Sequence, residues 1–161
     1  MRKRKAVVIT ISTSVSVGQR KDISGEKLTS GLSALGFEVV EKRVVKDDLD
    51  VIAGTLAELV ERGDIALIAT TGGTGLSPDD LTPEATLEVI DREIPGIGEI
   101  LRLAGWDKTK TAPLSRGVAG VAGKTLIVNL PGSPKGVEES LEILKEFIHH
   151  AIDLIEGRKP H

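Results

Sequence analysis

Short apolar runs alternate with helix-spaced patterns along almost the whole chain, and this alternation limits the fold more than any single motif does. Lys5 to Ile11, Phe37 to Val45, Ile65 to Thr70 and Lys124 to Leu130 read as strands. Ser24 is placed to cap a helix to about Leu35, with Gly36 past its end. Asp48 is placed to cap a second helix to about Arg62, closed by Gly63. Thr82, with Pro83 in the first turn, caps a third that stops near Arg92, before Ile94-Pro95-Gly96. A short helix is expected from Ile97 to Leu103, then a mixed segment with one strand from Lys110 to Val121. Ser133, followed by Pro134, caps a last helix. On it Val137, Leu141, Leu144, Ile148, Ala151 and Ile155 form one apolar stripe. Lys159-Pro160-His161 reads as a frayed tail.

Strands that alternate with helices are joined by right-handed crossovers and lie parallel. The expected fold class is therefore α/β, a three-layer αβα sandwich with a mostly parallel central sheet. The 161 residues fit one domain, 1–161, with no internal repeat and no dividing linker.

Composition narrows the function. Cysteine is absent, which excludes disulfides, thiolate metal sites and cysteine nucleophiles. The net charge of −3 argues against nucleic-acid binding, and Phe37, Trp106 and Phe147 are too few to stack single strands. The basic start, Met1-Arg2-Lys3-Arg4-Lys5, leads into an apolar run of only Ala6 to Ile11, too short for a membrane span. The expectation is a soluble, cytoplasmic protein that engages no membrane.

Parallel strands bring their carboxyl ends to one edge of the sheet, where ligands bind. That rule gathers Ser12, Thr13 and Ser14, then Asp47 and Asp48, then Thr70-Thr71-Gly72-Gly73-Thr74-Gly75 with Asp80, then Pro131-Gly132-Ser133-Pro134. The glycine turn is the sharpest signal. Glycine lets backbone approach a ligand closely, and such a strand-to-helix turn suits phosphate. Asp48 has an alternative reading as a helix cap, which explains Asp47 less easily. Asp80 has one as a bond within its own loop, and Ser133 as a cap. There is no G-x-G-x-x-G after the first strand. Gly117 to Thr125, GVAGVAGKT, fails the P-loop spacing at Val118 and precedes a strand, so it reads as a hairpin or turn with Lys124 exposed. His149, His150 and His161 fall away from this edge and are expected to have surface roles.

Taken together, these motifs resemble the molybdopterin-binding family of molybdenum-cofactor biosynthesis, which includes the MoaB and Mog proteins and the G domain of gephyrin. The matching pieces are Thr71 to Gly75, Asp80, Thr82-Pro83-Glu84-Ala85-Thr86, Glu93-Ile94-Pro95-Gly96, Leu114-Ser115-Arg116 and Asn129 to Pro134, in family order from about Lys5 to Ile155. The resemblance implies ATP-dependent adenylylation of molybdopterin, with a magnesium-type ion assisting, in a homotrimer or homohexamer. In that reaction the terminal phosphate of the pterin dithiolene attacks the α-phosphate of ATP and pyrophosphate leaves. Carried over by position, Asp47 and Asp80 become the catalytic and metal-binding carboxylates. Ser12, Gly72, Gly73, Thr74, Gly75, Thr82, Glu84, Ser115, Pro131, Gly132 and Ser133 line the substrate site, and Thr74 holds the pterin's phosphate. Three departures stand out. Asp79 replaces a residue that is basic in many members, Gly105 replaces a serine of several, and Ser12 to Ser16 leans towards the MoaB branch. These departures keep a second reading open: a non-catalytic molybdopterin carrier or scaffold.

Overall fold

The central strand β1 (Lys5–Ile11) is buried at every residue after Lys5, as expected of a strand covered on both faces. In the computed structural model, which describes residues 2–159, six strands form one sheet in the order β2-β1-β3-β6-β5-β4. Strand β1 pairs in parallel with β2 (Glu38–Val45) and β3 (Leu67–Thr71), and β3 pairs in parallel with β6 (Thr125–Leu130). The far edge turns antiparallel: β5 (Ala119–Ala122) folds back on β6, and β4 (Arg92–Glu93) adds to β5. The GVAGVAGKT segment forms this hairpin. Gly123 takes a φ of 59° at its turn, and Lys124 is exposed.

Alternate residues of each strand serve opposite layers. Val8, Ala69 and Val128 pack with Leu28 and Leu32 of α2 (Ile23–Ala34), Val137 and Leu144 of α6 (Pro134–Leu144), and Ile148 and Ile152 of α7 (Ile148–Ile155). Val7, Ile9, Ile68 and Ile127 pack with Ile52, Leu56 and Leu59 of α3 (Leu49–Glu61) and Ala85 of α4 (Thr82–Val89). This is the three-layer sandwich. Each large aliphatic side chain buried in it contributes about 1.5–3 kcal/mol by removal from water.

Several boundaries differ from the sequence reading. Asp22, not Ser24, caps α2: its carboxylate accepts from the Gly25 N–H, while Ser24 sits inside the helix. Asp48 does cap α3, accepting from Val51 N–H at 3.0 Å. Thr82 does not cap α4; Leu81 holds that position with no side-chain bond, and Thr82 points elsewhere. The helix ends at Val89, which leaves room for β4. The short helix expected at 97–103 runs further, as α5 (Pro95–Trp106), and a 3-10 turn, Ala112–Leu114, follows it. The Ser12 to Ser14 stretch opens a one-turn helix, α1 (Thr13–Ser16). Ser133 caps α6, but the last helix is two: the chain breaks at Lys145 to Phe147, and α7 resumes the same apolar stripe. His149 is also more than a surface residue, because its ring stacks on buried Phe37 at 4.7 Å and bonds the Leu35 carbonyl at 2.7 Å. Met1, Pro160 and His161 lie outside the described residues.

Candidate functional site

The strand register brings the predicted loops to one edge: Ile11 aligns with Val45, Thr10 with Thr71, and Thr71 with Leu130. The glycine turn leaves β3 there. Gly72 and Gly73 take φ values of 97° and 68°, in the left-handed region that side chains disfavour. Space alone would also require glycine. A Cβ on Gly72 would lie 2.4 Å from the Ile11 carbonyl oxygen, and one on Gly73 would lie 2.3 Å from the Thr82 hydroxyl oxygen. The Pro131-Gly132 loop lies against the turn. Thr71 donates its hydroxyl to the Pro131 carbonyl at 2.6 Å, and Ser24 donates to the Gly132 carbonyl at 2.6 Å.

Both predicted carboxylates flank this turn. Asp47 uses one oxygen, Oδ2, to accept from the Thr13 N–H and hydroxyl, each at 3.0 Å. Its other oxygen faces the turn, 3.4 Å from where a Cβ on Gly73 would stand. Asp80 accepts from the Ser77 N–H at 3.0 Å, the bond within its own loop that the sequence allowed. Its Oδ2 would also lie 2.8 Å from a Cβ on Gly75, so a side chain at Gly75 would crowd that carboxylate. Thr74 is buried at 6 % exposure, and its hydroxyl makes no hydrogen bond among the described residues. That leaves a donor at the turn for a ligand.

Other predicted positions are built into the scaffold. The Thr82 hydroxyl donates to the Gly72 carbonyl at 2.9 Å. Ser12 caps α1, and Ser133 caps α6 through the Gly136 N–H at 3.0 Å. Glu84 receives Arg116 through two nitrogens, at 2.6 and 3.2 Å. That bidentate hydrogen bonding holds the Glu84 carboxyl below the usual carboxylate range and raises the Arg116 guanidinium.

Beside the turn, a cleft of about 380 Å³ opens between α5 with the 3-10 turn and the start of α6. Ser115, Pro131 and Ser133 line it, as does Gly105. So do Arg102, Lys108 and Lys135, which the sequence reading did not single out. Glu139 and Glu142 line its α6 side, and Arg102 donates to the Ser115 and Gly117 carbonyls, so Lys108 and Lys135 are the cations best placed for an anionic, hydrogen-bonding ligand. Gly105 has a packing reason of its own: a Cβ there would stand 2.9 Å from that of Ala112.

Two residues take roles that the sequence does not assign: Thr13, gathered at this edge, orients Asp47, and Arg116, within a matching motif, fastens the turn through partners distant in sequence. Among the described residues no three of histidine, aspartate or glutamate are grouped to hold a metal, and no helix is long and apolar enough to cross a membrane.

Comparison with known proteins identifies the family. Residues 7–150 match the family described as "Probable molybdopterin binding domain". The chain is 38% identical over 152 residues to the molybdopterin adenylyltransferase of Helicobacter pylori, covering 93% of this chain and 86% of that protein. It is 39% identical over 150 residues to the molybdenum cofactor synthesis protein cinnamon of Drosophila melanogaster, covering 92% of this chain but only 25% of that longer protein. The molybdopterin biosynthesis enzyme MoaB of Thermus thermophilus superimposes with a TM-score of 0.90 at 45% identity, covering 96% of this chain and 97% of that one. By its family match over residues 7–150 and its likeness to these proteins, this chain belongs to the molybdopterin-binding family of molybdenum-cofactor biosynthesis.

Proposed function

We propose that the protein is a molybdopterin adenylyltransferase, transferring AMP from ATP to the terminal phosphate of molybdopterin and releasing pyrophosphate. The observation that carries this reading is the meeting of the glycine turn, the turn-facing oxygen of Asp47, Asp80 and the cation-bearing cleft at one sheet edge. Joining two phosphates brings anions together, so the site must offset repulsion and fix the attack line. The cleft suits the pterin, with Lys108 and Lys135 among its cations and Ser115 and Pro131 on its wall. Thr74 is suited to the pterin's phosphate through its unused hydroxyl. N–H groups of the glycine turn are suited to charge developing on the transferred group.

The carboxylates fit a magnesium-type ion. Asp47 has one oxygen without a hydrogen-bond partner among the described residues, and Asp80 offers hard oxygen donors beside the same turn. Mg²⁺ is commonly held by one or two carboxylates together with substrate phosphates. Such an ion would neutralise phosphate charge. The roles of Asp47 and Asp80, a cytoplasmic location, assembly as a homotrimer or homohexamer, and service of the whole chain as one domain belong to the same proposal. They are supported by the resemblance.

Incubation of the purified protein with molybdopterin, Mg²⁺ and ATP is expected to yield adenylyl-molybdopterin and pyrophosphate in equal amounts. Tight molybdopterin binding without ATP binding by calorimetry would instead make the protein a carrier.

A further inference from the structure

The Arg116 side chain touches the glycine turn, the Asp80 loop and α4 together. Its Nε donates to the Gly75 carbonyl at 2.8 Å, and Nη2 donates to the Asp80 carbonyl at 2.8 Å. Nη1 and Nη2 together grip the Glu84 carboxylate. Its own backbone N–H donates to the Thr74 carbonyl at 2.8 Å. All but one of the guanidinium N–H donors are thereby used within the chain, so little is left to contact a ligand. Meanwhile its chain neighbours Ser115 and Gly117 line the cleft. The Arg116 backbone thus belongs to the cleft wall, and its side chain belongs to the turn.

We propose that Arg116 is a positioning residue for adenylyl transfer, holding the glycine turn and the Asp80 loop in fixed register against the wall of the cleft. The inference rests on the adenylyltransferase reading. Stabilisation is a poor explanation for the arrangement. The Arg116 and Glu84 side chains are 35% and 44% exposed, and exposed ion pairs contribute little to folding. Geometry is the better one. A planar fork holds a carboxylate and two carbonyls in defined directions at once, whereas a lysine ammonium is a point charge that cannot.

The test compares wild type with Arg116→Lys, Glu84→Gln and the double variant, all as the full chain. Misplacement by an ångström costs about 10²-fold in rate. Arg116→Lys is therefore expected to lower kcat by roughly 10- to 100-fold while the molybdopterin Kd moves less than about threefold. Hydrogen exchange at the Ser77, Asp80 and Thr82 amides should quicken, with the urea midpoint nearly retained. The double variant should lose less than the summed single losses, because the pair acts as a unit. A folded Arg116→Lys protein with wild-type kcat and unchanged exchange would overturn the proposal. So would a loss of activity that only tracks a loss of folded protein. Should wild type form no adenylyl-molybdopterin, the functional reading fails, and so does a role for Arg116 in that transfer; the exchange arm then separately decides whether Arg116 holds the turn.

Discussion

The hydroxyl of Thr82 donates to the carbonyl oxygen of Gly72, tying the first turn of α4 to the glycine turn that precedes it. The Thr82 N–H adds a second tie, to the Gly73 carbonyl at 3.1 Å. The turn is therefore built from both of its ends, and its glycines are required by conformation and by space. Gly73→Ala forces a side chain into the left-handed region and against Thr82. It is expected to cost about 1–3 kcal/mol in urea unfolding. Gly54→Ala, on an exposed and open stretch of α3, is the contrast: it should be neutral or stabilising by roughly 0.5–1 kcal/mol.

Thr74 differs from Thr82 because its hydroxyl is not committed to the fold. Thr74→Val should leave the unfolding midpoint nearly unchanged. A charge-assisted hydrogen bond to phosphate is worth about 1.5–3 kcal/mol, so molybdopterin affinity should fall about 10- to 150-fold. Calorimetric titration checks both the affinity and its dependence on the phosphate. An effect below about twofold would remove Thr74 from the site.

Part of the acid sensitivity should trace to Asp22. Burial would raise its carboxyl, but hydrogen bonds from Thr10 and the Gly25 N–H, with Lys42 nearby, outweigh that and lower it. A carboxyl lowered on folding adds stability that is fully present above its unfolded value, about pH 4, and is lost as the pH falls through the lowered folded value. Asp22→Asn should therefore reduce stability at about pH 7 and converge towards wild type as the pH falls through the lowered folded value of Asp22. Urea midpoints across that range measure it.

The layers were legible in the sequence because their signals are local and repeated. Strand β1, the Asp48 cap, the Ser133-Pro134 start and the 137–155 stripe all read directly. What escaped was short or non-local. Helix α1 is a single turn without apolar spacing, and β4 is two exposed residues. The break between α6 and α7 carries neither glycine nor proline, and the stripe stays in phase across it. In the site, Asp47 stood out because Asp48 already explained the cap. Arg116 did not, because Glu84 is 32 residues and Gly75 is 41 residues away. Only folding brings such partners together.

The central claim is that Asp80 serves the transfer of AMP rather than the holding of the pterin. The direct measurement is molybdopterin adenylylation with Mg²⁺ and ATP by wild type and Asp80→Asn, with molybdopterin binding measured on the same preparations. Wild type should form adenylyl-molybdopterin and pyrophosphate, and Asp80→Asn should lose most turnover while binding the pterin almost normally. No product from wild type with intact molybdopterin, or an equal loss of turnover and binding in Asp80→Asn, would contradict the account.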